Sequence, residues 1–201
     1  VAKECSSNAK IIILIRNPME RAYSHYLMDL KVGNNKNKKF ISAVREDFNK
    51  SNGCWGTDHL YIEIGLYFEQ IKRYMDVFPK RNILILNYDD FKANSNDVLK
   101  TITQFLGVAP FSIQESSHRK NVAKIPKNRL SYLMIQSNYL KKFGKVLLND
   151  KLVKNLKNLL LTEKGIAPIT PFDRLELKQF FEEDLKNTQK LTGHNLSSWL
   201  N

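Results

Sequence analysis

The chain has 201 residues, enough for one domain with a real core. Its 42% hydrophobic and 26% charged residues are ordinary for a globular protein. The longest aliphatic run, Ile11 to Ile15, is far too short to cross a bilayer. The net charge of +12 points to an anionic partner: a nucleotide, a sulfated or acidic sugar, an anionic lipid or a nucleic acid. Nucleic acid is disfavoured, because there is no RNP-type aromatic motif and no heptad-borne basic region. No Cys/His spacing calls for a metal. Cys5 and Cys54 form no disulfide framework, which suits a reducing cytoplasm.

Ile11 to Ile15 is mostly β-branched and reads as a strand buried on both faces, as in a parallel sheet. It stops at Arg16. Asn17, Pro18 and Glu20 then read as a capping box with proline at its start, opening a helix from about Pro18 to Leu30. Ligands of open α/β sheets bind beyond the carboxyl ends of strands. Arg16 stands there, next to a helix N-terminus that favours anions. Its planar fork suits a pair of phosphate oxygens. Ser24 can add a hydroxyl and Arg21 a second cation. Spacing alone leaves open a plainer role for Arg16, pairing a nearby carboxylate.

The run Arg-Asn-Pro-x-x-Arg-Ala-Tyr-Ser-x-Tyr after an aliphatic strand resembles the 3′-phosphate-binding segment of the sulfotransferases. These enzymes use 3′-phosphoadenosine 5′-phosphosulfate (PAPS). The resemblance implies that Arg16 and Ser24 hold the donor's 3′-phosphate, and no metal is implied.

Lys31 to Lys39 is a polar, lysine-rich loop around Gly33. Phe40, Ile41, Val44 and Phe48 recur at helical spacing. A helix is expected from Gly65 to Phe78, stopped by Pro79. Ile83 to Leu86 is a second short strand. From Ser95, the apolar stripe Val98, Leu99, Ile102, Phe105 and Leu106 predicts a helix capped by Gly107. The order from Gly65 to Val108, with Tyr-Asp-Asp-Phe after the strand and Phe-Leu-Gly-Val closing the helix, also resembles the sulfotransferase domain.

Ala109 to Asn128 is a basic stretch with few periodic apolar residues. The resemblance implies a loop here that closes over the nucleotide, with Arg119, Lys120 and Asn121 reaching its phosphates. Leu130 to Leu161 is expected to be mostly helical. A final helix opens at Thr170-Pro171-Phe172-Asp173, runs to about Leu191 and ends at Gly193.

The resemblance implies an α/β fold, a parallel sheet flanked by helices similar to the P-loop kinase-like sulfotransferase fold. Residues 1–201 are expected to form one sulfotransferase-like domain, the C-terminal two-thirds of the family domain. The family's glycine-rich 5′-phosphosulfate loop, its leaving-group lysine and its base are expected upstream of Val1, so no catalytic residue is assigned and the segment alone is expected to be inactive. The implied reaction is transfer of a sulfuryl group from PAPS to a hydroxyl or amine, with a carbohydrate as the expected acceptor and 3′-phosphoadenosine 5′-phosphate (PAP) as the nucleotide product. The expected location is the cytoplasm, or the Golgi lumen in a eukaryotic source. The alternatives are a nucleotide or small-molecule kinase of related fold and a non-catalytic anion-binding domain.

Overall fold

The computed structural model describes residues 8–35, 39–50, 59–111, 123–137, 155, 158–164 and 166–200. The chain falls into two compact units. The first comprises Val1–Pro18, Ile64–Arg119 and Lys178–Asn201, and the second Met19–Glu63 and Lys120–Leu177.

The first unit is built on β1 (Ile11–Ile15) and β2 (Ile83–Asn87), which pair in parallel from Ile11 opposite Ile83 to Ile15 opposite Asn87. Parallel pairing of strands so far apart in sequence needs a long crossover, here containing α3 (Phe68–Met75). The expectation that β1 is buried on both faces needs correction. Ile15 is 1% exposed, but Ile12 and Leu14 are 39% and 51% exposed. Period-two alternation points those two side chains to one face, and an unbroken aliphatic run cannot tell one covered face from two.

The predicted helix at Gly65 also starts later than its sequence suggests. Glu63–Gly65 is a 3₁₀ turn, and α3 begins at Phe68. The reason is a cap supplied from another helix. Tyr67, at the N-cap, makes no side-chain cap bond of its own. Instead the Asp184 carboxylate accepts the backbone N–H groups of Tyr67 at 2.7 Å and Phe68 at 3.1 Å. After β2 the chain turns directly into α4 (Tyr88–Ala93), whose start is capped by the Asn87 side chain accepting from the Asp89 N–H at 2.8 Å. Then α5 (Ser95–Leu106) begins behind a second asparagine cap, Asn94. It ends at Gly107, whose φ of 73° is the left-handed conformation glycine adopts without a Cβ penalty.

The second unit contains most of α1 (Pro18–Val32) and α2 (Phe40–Lys50). It also holds β3 (Ile125–Pro126), α6 (Arg129–Gln136) and β4 (Leu161–Thr162). The antiparallel pair of β3 and β4 was not expected from sequence, because two-residue strands carry no periodicity. It fixes the downstream end of the basic stretch, where Lys127 donates its N–H to the Leu160 carbonyl at 3.0 Å. An aromatic cluster of Tyr23, Tyr26, Phe40 and Tyr61 forms much of the core, with Tyr23 and Phe40 edge to face at 5.0 Å.

The last helix, α7 (Pro171–Thr192), opens as its sequence predicts: Asp173 donates its N–H to the Thr170 hydroxyl oxygen at 3.1 Å, and the Asp173 carboxylate accepts from the Thr170 N–H at 3.2 Å. Leu177, Phe181, Leu185 and Thr188 recur at helical spacing and are almost fully buried.

Gly65 belongs to the first unit and serves close packing. A Cβ there would lie 2.8 Å from a Phe181 ring carbon and 3.0 Å from Pro18 Cβ. A ring locked in a core cannot retreat cheaply. Gly65→Ala is therefore expected to cost about 1–3 kcal/mol in chemical denaturation. A change below about 0.5 kcal/mol would show that the Phe181 ring has room to move.

Candidate functional site

The parallel register makes Arg16 and Tyr88 the first residues beyond the carboxyl ends of β1 and β2. The Arg16 guanidinium lies over the Tyr88 ring, 5.1 Å from its centroid. Its backbone carbonyl accepts the Tyr67 hydroxyl at 2.8 Å, which pins the chain where the strand ends. Arg16 is half-buried and forms no ion pair among the described residues. The plainer reading of Arg16, pairing with a carboxylate, is thus absent here, and its planar fork stays available to an anion.

Around Arg16 the backbone is well held. Asn17 is buried and donates its side-chain amide to the Trp199 carbonyl at 3.4 Å. The Trp199 indole N–H reaches the Asp89 carboxylate at 3.2 Å. Lys92 also sits against Tyr88, 5.7 Å from the ring centroid, and pairs with Asp89 at 3.0 Å. Tyr88 was missed in the sequence. The signal for it was its place, immediately after an aliphatic strand pairing in parallel with the Arg16 strand.

In the second unit, Ser24 is exposed on α1, and its hydroxyl makes no hydrogen bond among the described residues. Arg21 is placed differently: its Nη2 donates to the Tyr61 carbonyl, so part of its fork serves the fold. Glu20, the third residue of the expected capping box, pairs with Arg174. Arg119, Lys120 and Asn121 lie outside the described residues, as does His118. Lys124, at the near end of the same basic stretch, lies 3.4 Å from Glu163.

The same unit holds a polar cluster that sequence reading left unremarked. Asp29 is buried, and one of its oxygens, Oδ2, accepts the Tyr61 hydroxyl at 2.7 Å and contacts His59 Nδ1 at 2.8 Å. His25 Nε2 lies 3.6 Å from the same oxygen. Asn35 donates to the Tyr61 hydroxyl at 2.9 Å. Asp47 holds the turn by accepting the backbone N–H groups of His59 at 2.9 Å and Tyr61 at 3.0 Å. Between them Leu60 is buried with φ of 54°, a left-handed conformation uncommon outside glycine and asparagine. That kink lets the His59 and Tyr61 rings stack, 5.1 Å apart and 1° from parallel. Burial, followed by the bond to Asp29, pushes the Tyr61 hydroxyl far above the ordinary phenol value, so it stays a donor. Burial also holds His25 below the ordinary imidazole value, although the Asp29 carboxylate opposes this.

Among the described residues, no group of three or more His, Cys, Asp or Glu side chains could hold a metal ion. Nor is any helix among them long and apolar enough to cross a membrane. A shallow hollow of about 330 Å³ lined by Asn96, Asp97, Lys100, Pro110 and Phe111 shares no residue with either cluster.

The family model described as the Sulfotransferase domain matches residues 2–163. The chain belongs to this family. Mouse sulfotransferase 2A6 is 32% identical over 102 residues, covering 51% of this chain and 33% of that protein. Human carbohydrate sulfotransferase 15 is 26% identical over 125 residues, covering 55% of this chain and 22% of that protein. The chain thus spans about a third or less of the length of these curated relatives. A crystal structure of a sulfotransferase from Alicyclobacillus acidocaldarius superposes with a TM-score of 0.63 at 21% identity, covering 96% of this chain and 58% of that one. The sulfotransferase fold, with its parallel sheet flanked by helices, is therefore that of this chain. The strand-to-helix segment around Arg16 lies inside the matched region, as do Ser24, Tyr88 and the Asp29 cluster.

Proposed function

We propose that the chain binds the 3′-phosphate end of PAPS through Arg16 and Ser24 and takes part in transferring the sulfuryl group to a hydroxyl or amine. The observation that carries this is Arg16: a half-buried arginine without an ion pair among the described residues, at the carboxyl end of a parallel strand. Ser24 enters through its place in the motif and its exposed hydroxyl, which makes no hydrogen bond among the described residues. Tyr88, stacked against Arg16, would keep the guanidinium aimed beyond the sheet. Arg21, Arg119, Lys120 and Asn121 are proposed as further phosphate contacts on the strength of the motif and the basic stretch. Residues 1–201 are proposed to act as one sulfotransferase-like domain, with the reacting 5′-phosphosulfate served by elements outside them. A carbohydrate acceptor is the proposed class, and the likeness to carbohydrate sulfotransferase 15 supports it.

PAP and 5′-AMP differ in the 3′-phosphate, so calorimetric titration with each isolates the contact. PAP is expected to bind more tightly by roughly tenfold or more, the worth of one charged hydrogen bond. Equal affinities would overturn the assignment. If neither nucleotide binds, and heparin binds in a strongly salt-dependent way, the chain is instead an anion-binding domain relying on its net charge of +12.

A further inference from the structure

We infer that Trp199, near the end of the chain, is a positioning residue for the 3′-phosphate site: it braces Arg16 and Tyr88 against each other. This rests on the sulfotransferase reading above. The parallel ladder ends at Ile15 opposite Asn87. Arg16 and Tyr88 lie one residue beyond it, so strand pairing no longer fixes their separation. The cation over the ring, 5.1 Å from its centroid, is a weak contact and does not by itself hold two chain segments together. Each segment is instead tied to Trp199 at its next residue. The Asn17 side-chain amide donates to the Trp199 carbonyl at 3.4 Å, and the indole N–H donates to Asp89 Oδ2 at 3.2 Å. Arg16, Asn17, Trp199, Asp89 and Tyr88 thus form a closed ring of contacts, with peptide bonds joining Arg16 to Asn17 and Tyr88 to Asp89.

The brace is itself fixed. Trp199 is buried, in the 3₁₀ turn Ser197–Leu200, and its N–H donates to the Leu196 carbonyl at 3.0 Å. Leu196 is buried too, and its N–H donates to Gln189 Oε1 at 2.9 Å. The same oxygen accepts the Ser197 hydroxyl at 3.2 Å, which fastens the tail to α7. All these residues belong to the first unit. A buried indole needs an acceptor for its N–H. Asp89 provides it with one oxygen, while the other takes Lys92 at 3.0 Å, and Lys92 stands 5.7 Å from the centroid of the Tyr88 ring. Packing alone would ask only for the indole ring. Bonds to the residues that follow both Arg16 and Tyr88 are what a brace requires. A two-pronged arginine–phosphate contact gains from such a brace, because its fork must be held in one orientation.

Calorimetric titration of the full chain with PAP and with 5′-AMP separates the 3′-phosphate contact from the rest of the nucleotide. Trp199→Phe keeps an aromatic ring and removes the N–H. It is expected to lower PAP affinity by about 3- to 10-fold while 5′-AMP affinity changes by less than about twofold. Asp89→Ala should give a similar loss. The double variant should lose no more than the weaker single variant, because both remove one bond. Asp89→Asn keeps an oxygen for the indole and should restore most of the preference for PAP. Val98→Ala, a core truncation in α5, should lower stability and leave the ratio of the two affinities unchanged.

Equal losses for both nucleotides in Trp199→Phe, losses that add in the double variant, or the same change of ratio in Val98→Ala would each overturn the inference, since the tail then only supports the fold. Asp89→Asn without recovery also overturns it, because Asp89 would then act through the charge it shares with Lys92. If Trp199→Phe does not fold, Asp89→Ala and Asp89→Asn decide by the same comparison. A wild type that prefers PAP, with that preference intact in Trp199→Phe, sinks the inference and leaves the donor site standing. A wild type that binds the two nucleotides equally, or binds neither, removes the donor reading and the inference with it.

Discussion

Arg16→Ala is expected to weaken PAP binding by about 1.5–3 kcal/mol, the usual worth of a hydrogen bond to a charged group, or roughly 10- to 150-fold in affinity. The size follows from what Arg16 does in the free chain. Among the described residues its guanidinium forms no ion pair and lies over the Tyr88 ring at 5.1 Å. Removing it therefore costs the fold little, about 0.5–1 kcal/mol for a cation over an aromatic face, and the loss falls on the ligand. The backbone anchor, the Tyr67 hydroxyl on the Arg16 carbonyl, survives the substitution. Arg16→Lys keeps the charge but loses the two-pronged geometry, so it should recover part of the affinity. Calorimetry of the three chains with PAP and with 5′-AMP decides the matter. If Arg16→Ala binds PAP as tightly as the wild type, the strand-end arginine is not the phosphate ligand.

Much of this site could be read in the amino-acid sequence. The aliphatic run, the Asn-Pro helix start and the Arg16 to Ser24 spacing are local features, and β1 and α1 fall where they predict. The stripe in α5, with its Gly107 cap, and the opening of α7 are equally local. What escaped depends on partners distant in sequence. Tyr88 gains meaning only once β1 and β2 pair in parallel and bring it beside Arg16. His59 reads as an ordinary loop histidine until α1 delivers Asp29 beneath it, 30 residues away in sequence. The late start of α3 is of the same kind, since its cap comes from Asp184, 117 residues after Tyr67. The covered and uncovered faces of β1 are set by the layers around it, which an unbroken aliphatic run does not record.

Asp184 carries the largest expected effect on stability. Its carboxylate takes two backbone N–H groups at the start of α3 and the Thr188 hydroxyl at 3.3 Å. A helix start leaves its first N–H groups without intrahelical partners, and Tyr67 offers no cap of its own. Asp184→Ala would orphan both donors, at about 1–3 kcal/mol each. The expected loss is about 2–5 kcal/mol, a fall in Tm of roughly 4–20 °C for a chain of this size. Tyr67 is also the residue whose hydroxyl anchors the Arg16 carbonyl, so PAP affinity should fall with stability. The pH dependence has a definite sign. Burial raises the Asp184 carboxyl above its ordinary value, although the Tyr67, Phe68 and Thr188 bonds oppose the rise. The folded chain then holds that proton more tightly than the unfolded one. The contribution is complete below the ordinary carboxyl value and is lost as pH rises through the raised folded value. Asp184→Asn keeps one acceptor oxygen, enough for one of the two amides, and does not titrate. Denaturation of the three chains across that acid window should show the wild type losing stability relative to Asp184→Asn as pH rises. Asp184→Ala should be the weakest throughout. A loss below about 1 kcal/mol in Asp184→Ala would mean that water satisfies both amides, and that α3 does not depend on α7 for its start.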